Sequence, residues 1–150
     1  MIFPYREYHI QTDRSSAEIT SIYRPVIPVR VSGQQNEIAV YGLLDTGADA
    51  TVFPVSFIQR LGIQLESGQG YYHGVGGHEV TVKYGIVEIE VTRGNESHNW
   101  STRVAFLEGH SGAILGNSGF LELFDITFAG SRKEILLERN SSPALRVSRD

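Results

Sequence analysis

Ile38-Ala39-Val40-Tyr41-Gly42-Leu43-Leu44-Asp45-Thr46-Gly47-Ala48-Asp49 is a mostly apolar run that stops at an acid and a turn. Residues 38–44 have the apolar character of a buried strand. Asp45 ends that strand, Gly47 permits a tight turn, and a second apolar segment, Thr51-Val52-Phe53, comes soon after. A carboxyl placed there is partly desolvated, which matters for acid–base chemistry. The tripeptide Asp45-Thr46-Gly47 is weak evidence alone, since average composition produces it in about one in 30 chains of this length. An ordinary strand-ending turn is the plain alternative, because Asp and Gly are common turn residues.

Working outward, Arg24-Pro25-Val26-Ile27-Pro28 reads as extended, since residues before proline avoid the helical region. Val29 and Val31 alternate with Arg30 and Ser32, and Gly33-Gln34-Gln35-Asn36 supplies turn chemistry. The result is a hairpin whose second strand ends at Asp45. Downstream, residues 54–61 suit one or two helical turns, with proline near the start and Gly62 placed to end them. Tyr71-Tyr72-His73 and Val80-Thr81-Val82-Lys83-Tyr84 flank Gly74-Val75-Gly76-Gly77, which predicts a glycine-tipped hairpin. Val87, Ile89 and Val91 alternate with Glu88 and Glu90, and Arg93-Gly94-Asn95-Glu96 is a turn before a strand over residues 100–107. Phe120-Leu121-Glu122-Leu123-Phe124 has the spacing of a short helix and is the best helical candidate. Residues 126–128 pair with 134–137 across Ala129-Gly130-Ser131, while Trp100, Phe120 and Phe124 read as core.

These elements predict an all-β domain, a small closed or partly closed barrel with one or two short helices. Residues 1–24 form a polar, irregular, partly ordered lead, residues 25–138 the domain, and residues 139–150 a flexible tail. The formal charge of −4 and the lack of a Lys/Arg stripe argue against nucleic acid as partner. No apolar stretch approaches the roughly 20 residues of a membrane span, and the first residues lack a signal peptide's order. A soluble, cytoplasmic protein is expected. With no cysteine, disulfides, thiolate nucleophiles and Cys-based zinc sites are excluded. His73 and His78 straddle the glycine tip without a third ligand nearby, so no metal is assigned and no cofactor is expected.

Three stretches together resemble the retropepsin family, the single-domain aspartic peptidases whose best-known members are the retroviral proteases. Residues 43–49 look like the family's catalytic loop, behind a hairpin containing Gly33. Gly74-Val75-Gly76-Gly77 with its β arms is similar to the flap that closes over substrate. Ala113-Ile114-Leu115-Gly116 matches the apolar-apolar-glycine motif ahead of the family's single helix. Order and spacing agree over residues 28–128, and three concordant motifs are far more specific than one. The resemblance implies a retropepsin-type barrel with one catalytic loop per chain.

It also implies an endopeptidase acting on extended protein segments, with a peptide or protein as substrate. Amide hydrolysis without metal, serine or cysteine needs one carboxylate as base and one carboxylic acid as proton donor. The chain holds one Asp-Thr-Gly and no second copy, so the resemblance implies a homodimer that pairs two Asp45 residues. In that assignment Asp45, Thr46 and Gly47 form the catalytic loop. Ala48, Asp49, Gly74, Val75, Gly76 and Gly77 contact substrate. Ala48 cannot donate the hydrogen bond by which a Ser or Thr lowers a carboxyl pKa, so the optimum should be less acidic than pepsin's.

Two departures stand out. Retroviral members usually carry arginine after the glycine of the third motif, where it pairs with the loop aspartate, whereas Asn117 stands here. A neutral Asp49–Asn117 hydrogen bond is the expected substitute. The chain also has a longer lead and a further hairpin around Gly130. The main rival reading is a retropepsin-fold peptide-binding or dimerisation module with little turnover. A monomeric β-barrel binding module with a coincidental turn is a third.

Overall fold

The computed structural model describes residues 1–11, 19–73 and 79–140. In chain order its elements begin with strands β1 (Ile2–Pro4), β2 (Arg6–Gln11), β3 (Ile19–Arg24), β4 (Val26–Ser32), β5 (Glu37–Leu44) and β6 (Val52–Pro54). Helix α1 (Ser56–Leu61) precedes β7 (Gly70–His73), β8 (Glu79–Arg93), β9 (Glu96–Leu107) and β10 (Ala113–Leu115). A 3₁₀ turn (Leu121–Leu123) leads into β11 (Phe124–Ala129) and β12 (Glu134–Arg139).

The largest sheet runs in the order β4-β5-β10-β6-β9-β8-β7, and β4 also pairs with β8. Six strands therefore close into a barrel, with β7 attached along β8. Alternation drives the closure: Val87, Ile89 and Val91 on β8 point inward while Glu88 and Glu90 point out. At the seam Val31 faces Ile89, both without exposed surface, and Arg30 faces Glu90 at 3.3 Å. An exposed ion pair of that kind is worth at most about 1 kcal/mol, so the seam rests on the buried pairs. Phe53, Leu61, Phe106, Leu115 and Phe120 fill the interior.

Helix α1 turns Phe57 and Leu61 inward and ends at Gly62, which takes the left-handed conformation at φ 68°. Its last carbonyls, left without helical partners, are met by the turn between β4 and β5. The Gln35 amide donates to the Leu61 carbonyl at 3.0 Å, and the Asn36 side chain donates to the Arg60 carbonyl at 3.1 Å. The turn comes this close because Gly33 has no side chain: a Cβ there would lie 2.3 Å from the Leu61 carbonyl oxygen.

A second sheet, β1-β12-β11, covers one side of the barrel and adds Phe3, Ile135, Leu137 and Phe124 to the same core. Strands β2 and β3 form a separate two-stranded hairpin. Residues 1–24, read from sequence as largely irregular, thus contribute three strands. Their polar composition hid the pattern because β2 and β3 bury little, whereas Phe3 alone anchors β1. The predicted helix over 120–124 shrinks to the 3₁₀ turn. Phe124 is extended, at φ −137° and ψ 144°, because it starts β11 opposite Arg139 while its ring packs on Trp100 and Phe120. Tertiary pairing overrides the local spacing there. The β4–β5 and β11–β12 hairpins and α1 match the sequence reading. Residues 141–150 of the expected tail lie outside the described residues. No helix among the described residues is long and apolar enough to cross a membrane.

Replacing Gly33 by alanine would push the turn off the end of α1. Overpacking of this kind costs about 1–3 kcal/mol, so Gly33→Ala should lower the midpoint of urea unfolding; an unchanged midpoint would show that the contact is slack.

Candidate active site

The parallel pairing of β5 with β10 sets Leu43 beside Ile114 and Leu44 beside Leu115. The ladder runs one step further, with the Asp45 amide donating to the Leu115 carbonyl at 3.2 Å. There the chain turns: the Ala48 amide donates to the Asp45 carbonyl at 3.2 Å, and the Gly47 amide donates to Asp45 Oδ1 at 2.9 Å. The Asp45 carboxylate is thereby fixed by its own loop. It is half-buried, whereas Thr46, Gly47 and Asp49 are exposed.

The second leg of the site is the chain leaving β10. The Asn117 amide donates to the Ala48 carbonyl at 2.8 Å, and the Ser118 amide donates to the Asp49 carbonyl at 2.9 Å. Gly116 lies flat against the loop, since a Cβ on it would fall 2.2 Å from the Ala50 carbonyl oxygen. Thr51, fully buried, accepts from the Gly116 amide through Oγ1 at 3.3 Å. Its own amide donates to the Ser118 carbonyl at 2.9 Å, and its carbonyl accepts from the Ala105 amide at 3.0 Å. A buried hydroxyl is costly unless paired; together with the two backbone groups of Thr51 it joins the loop to β9 and to the chain leaving β10.

Asn117 does not take the role expected of it. Its side-chain amide donates to the backbone carbonyls of Thr46 at 3.2 Å and Ala48 at 3.1 Å, not to the Asp49 carboxylate. A planar amide with two N–H groups suits two adjacent carbonyls better than one side chain nearby.

The structure thus brings Asp45, Thr46, Gly47, Ala48 and Asp49 into one loop. Gly74, Val75, Gly76, Gly77 and His78 lie outside the described residues, as does the His73 side chain. The arms of their hairpin are described, from Gly70 opposite Val82 to His73 opposite Glu79. On the first arm Tyr72 packs against Val52, Val82 and Ala105, with Tyr84, Leu107 and Ile114 around them. Burial, then Tyr84, then the negative charge of Asp49 hold the Tyr72 phenol above its ordinary pKa. Tyr84 is covered in turn by Arg103, whose guanidinium carbon sits 3.6 Å from the ring centroid. Arg103 Nε donates to both oxygens of Glu66 at 2.9 Å, which lowers the Glu66 carboxyl below its usual range. Sequence reading missed Thr51, Tyr72 and Tyr84; even spacing along β8 was the available signal for Val82 and Tyr84 sharing a face.

A family model described as aspartyl protease matches residues 27–118, and the chain belongs to that family. Its barrel is of the retropepsin-like kind, and the matched stretch takes in the Asp45-Thr46-Gly47 loop. No curated protein matches the chain. Among solved structures, the EIAV protease complexed with the inhibitor HBY-793 is 28% identical, with a TM-score of 0.49, over 62% of this chain and 81% of that chain.

Both the neutral tie at Asn117 and the charged one at Glu66 can be measured. Asn117→Ala removes two hydrogen bonds, together worth about 1–3 kcal/mol, and should speed amide exchange at residues 46–48 more than in the core; equal exchange would show that the backbone bonds suffice. Glu66 has a lowered folded pKa, so its pairing stabilises the fold above the unfolded value and is lost as pH falls through the folded one. The difference in Tm between wild type and Glu66→Gln should therefore shrink as pH drops below the ordinary value of about 4.5.

Proposed function

We propose that the protein is an aspartic endopeptidase whose active form is a homodimer. The carrying observation is the single half-buried carboxylate of Asp45, held by the Gly47 amide at the end of a parallel strand pair. One chain supplies one such group, and amide hydrolysis needs two carboxyls in different protonation states. A twofold axis past the loop brings two copies of Asp45 together, and adjacent carboxylates share one proton because both cannot ionise cheaply.

The ionised Asp45 takes a proton from water as the water oxygen attacks the scissile carbonyl carbon. The protonated Asp45 gives its proton to the carbonyl oxygen, forming a neutral gem-diol. Collapse of that intermediate breaks the C–N bond, with the proton held by the first carboxyl passing to the leaving amine and the diol proton returning to the second. The dyad finishes as it began. Thr46 steadies the two loops across the dimer, and the backbone of Gly47, Ala48 and Asp49 lies along an extended substrate. Gly74, Val75, Gly76 and Gly77 close over it from the β7–β8 hairpin, adding backbone hydrogen bonds as in strand addition. Residues 25–138 form the peptidase unit in this reading, with the lead and tail as additions.

Asp45→Asn should cut peptide-library cleavage by about 10²–10⁴-fold while light scattering still reports a dimer. A verified wild-type dimer that cleaves nothing from mildly acidic to neutral pH would leave a peptide-binding module in its place. Because Ala48 offers the carboxylate no hydroxyl, the rate should peak above about pH 3, within reach of ordinary carboxyl values; a peak well below that would show a dyad acidified by other donors.

A further inference from the structure

The β2–β3 hairpin presents an arrangement that its own stability does not explain. Its register sets Arg6 directly opposite Arg24, and like charges so placed repel. Both guanidiniums lie near the Tyr8 ring, at 5.7 Å for Arg6 and 5.3 Å for Arg24, and Arg6 also lies 3.9 Å from the Tyr41 ring centroid. Ring faces attract cations but do not neutralise them. Arg30, Arg103 and Arg132 each have a carboxylate within ion-pair distance, whereas among the described residues Arg6 and Arg24 have none.

Between this hairpin and the barrel lies a cavity of about 400 Å³. Tyr8 and Arg24 line it from the hairpin, Leu43 and Ile114 from the barrel, and Tyr41 and His110 complete the wall. Among the described residues no Asp or Glu lines it. His110 brings a ring nitrogen, Nε2, that is buried and has no hydrogen-bond partner, an uncommon state for a buried polar atom. The cavity lies along the strand pair that carries the catalytic loop, because Leu43, two residues before Asp45, is paired with Ile114 and both line it. Apolar walls on that strand pair thus face an arginine without a carboxylate partner among the described residues.

We propose that this cavity receives an acidic side chain of the peptide substrate, glutamate or aspartate. The methylenes lie on Leu43 and Ile114, and the carboxylate meets Arg24. Arginine suits the task because its guanidinium forms paired, charge-assisted hydrogen bonds to a carboxylate. The N-terminal hairpin is on this account a specificity element, and the inference rests on the reading of the loop as a peptide site.

The test separates binding from turnover. Fluorescence anisotropy of labelled extended peptides, differing only by Glu or Gln at one position at a time, is measured on Asp45→Asn protein. At one position glutamate should bind about tenfold more tightly. Adding Arg24→Gln should abolish that preference, and adding Arg24→Glu should reverse it in favour of glutamine. Equal affinities at every position, or a preference that survives Arg24→Gln, would overturn the proposal. If Arg24-dependent selection is found but wild-type protein fails to cleave the selected peptides, the pocket stands and the peptidase reading falls. If no peptide binds, both fall.

Discussion

The backbone contact between Gly116 and Ala50 governs the geometry of the site. With a hydrogen in place of a side chain, Gly116 lets the strand leaving β10 lie against residues 48–50, where a Cβ would meet the Ala50 carbonyl oxygen at 2.2 Å. The amides of Asn117 and Ser118 can then reach the carbonyls of Ala48 and Asp49, and Thr51 can bridge both strands. Without this approach the parallel ladder of β5 and β10 would have no continuation into the loop. Asp45 would stand on a free turn.

Because of that approach, the Asp45 carboxylate is positioned almost wholly by main chain. The residue is held through its own amide, its carbonyl and Oδ1, each bonded to backbone. Main-chain partners are anchored by the sheets behind them, so the carboxylate has little room to wander, and positioning of that order is worth several kcal/mol in a reaction barrier. The same economy explains the buried Thr51. One hydroxyl and two backbone groups join the loop to β9 and to the chain leaving β10.

Much of this was readable from residues alone, for local reasons. The alternation of Val29 and Val31 and of Val87, Ile89 and Val91 reports which face is buried, and Gly62 reports where α1 stops. The loop at Asp45 was readable because its turn chemistry is local too. Contacts between distant segments were not: Gly33 under Leu61 and Gly116 under Ala50 look like ordinary turn glycines until the partner backbone is in place. Strands β2 and β3 escaped notice because they bury too little to write an apolar period. Phe120 to Phe124 misled for the opposite reason, since Phe120, Leu123 and Phe124 have a helical spacing that the strand pairing of Phe124 overrules, while the rings of Phe120 and Phe124 both pack with Trp100.

Asn117 shows how a neutral group changes the character of such a site. A guanidinium at this place would tie the loop through charge, strengthened at low salt and weakened as a partner carboxylate takes up protons. The Asn117 amide bonds to two carbonyls that never titrate. Asp49 is left with no cation within ion-pair distance among the described residues, and its charge is felt by the Tyr72 phenol on the β7 arm. Protonation of acids near the loop therefore changes the field around Asp45 while the hydrogen bonds that shape the loop remain. In a proposed dyad that must itself exchange a proton during each turnover, a scaffold indifferent to that proton keeps the geometry constant while the chemistry proceeds.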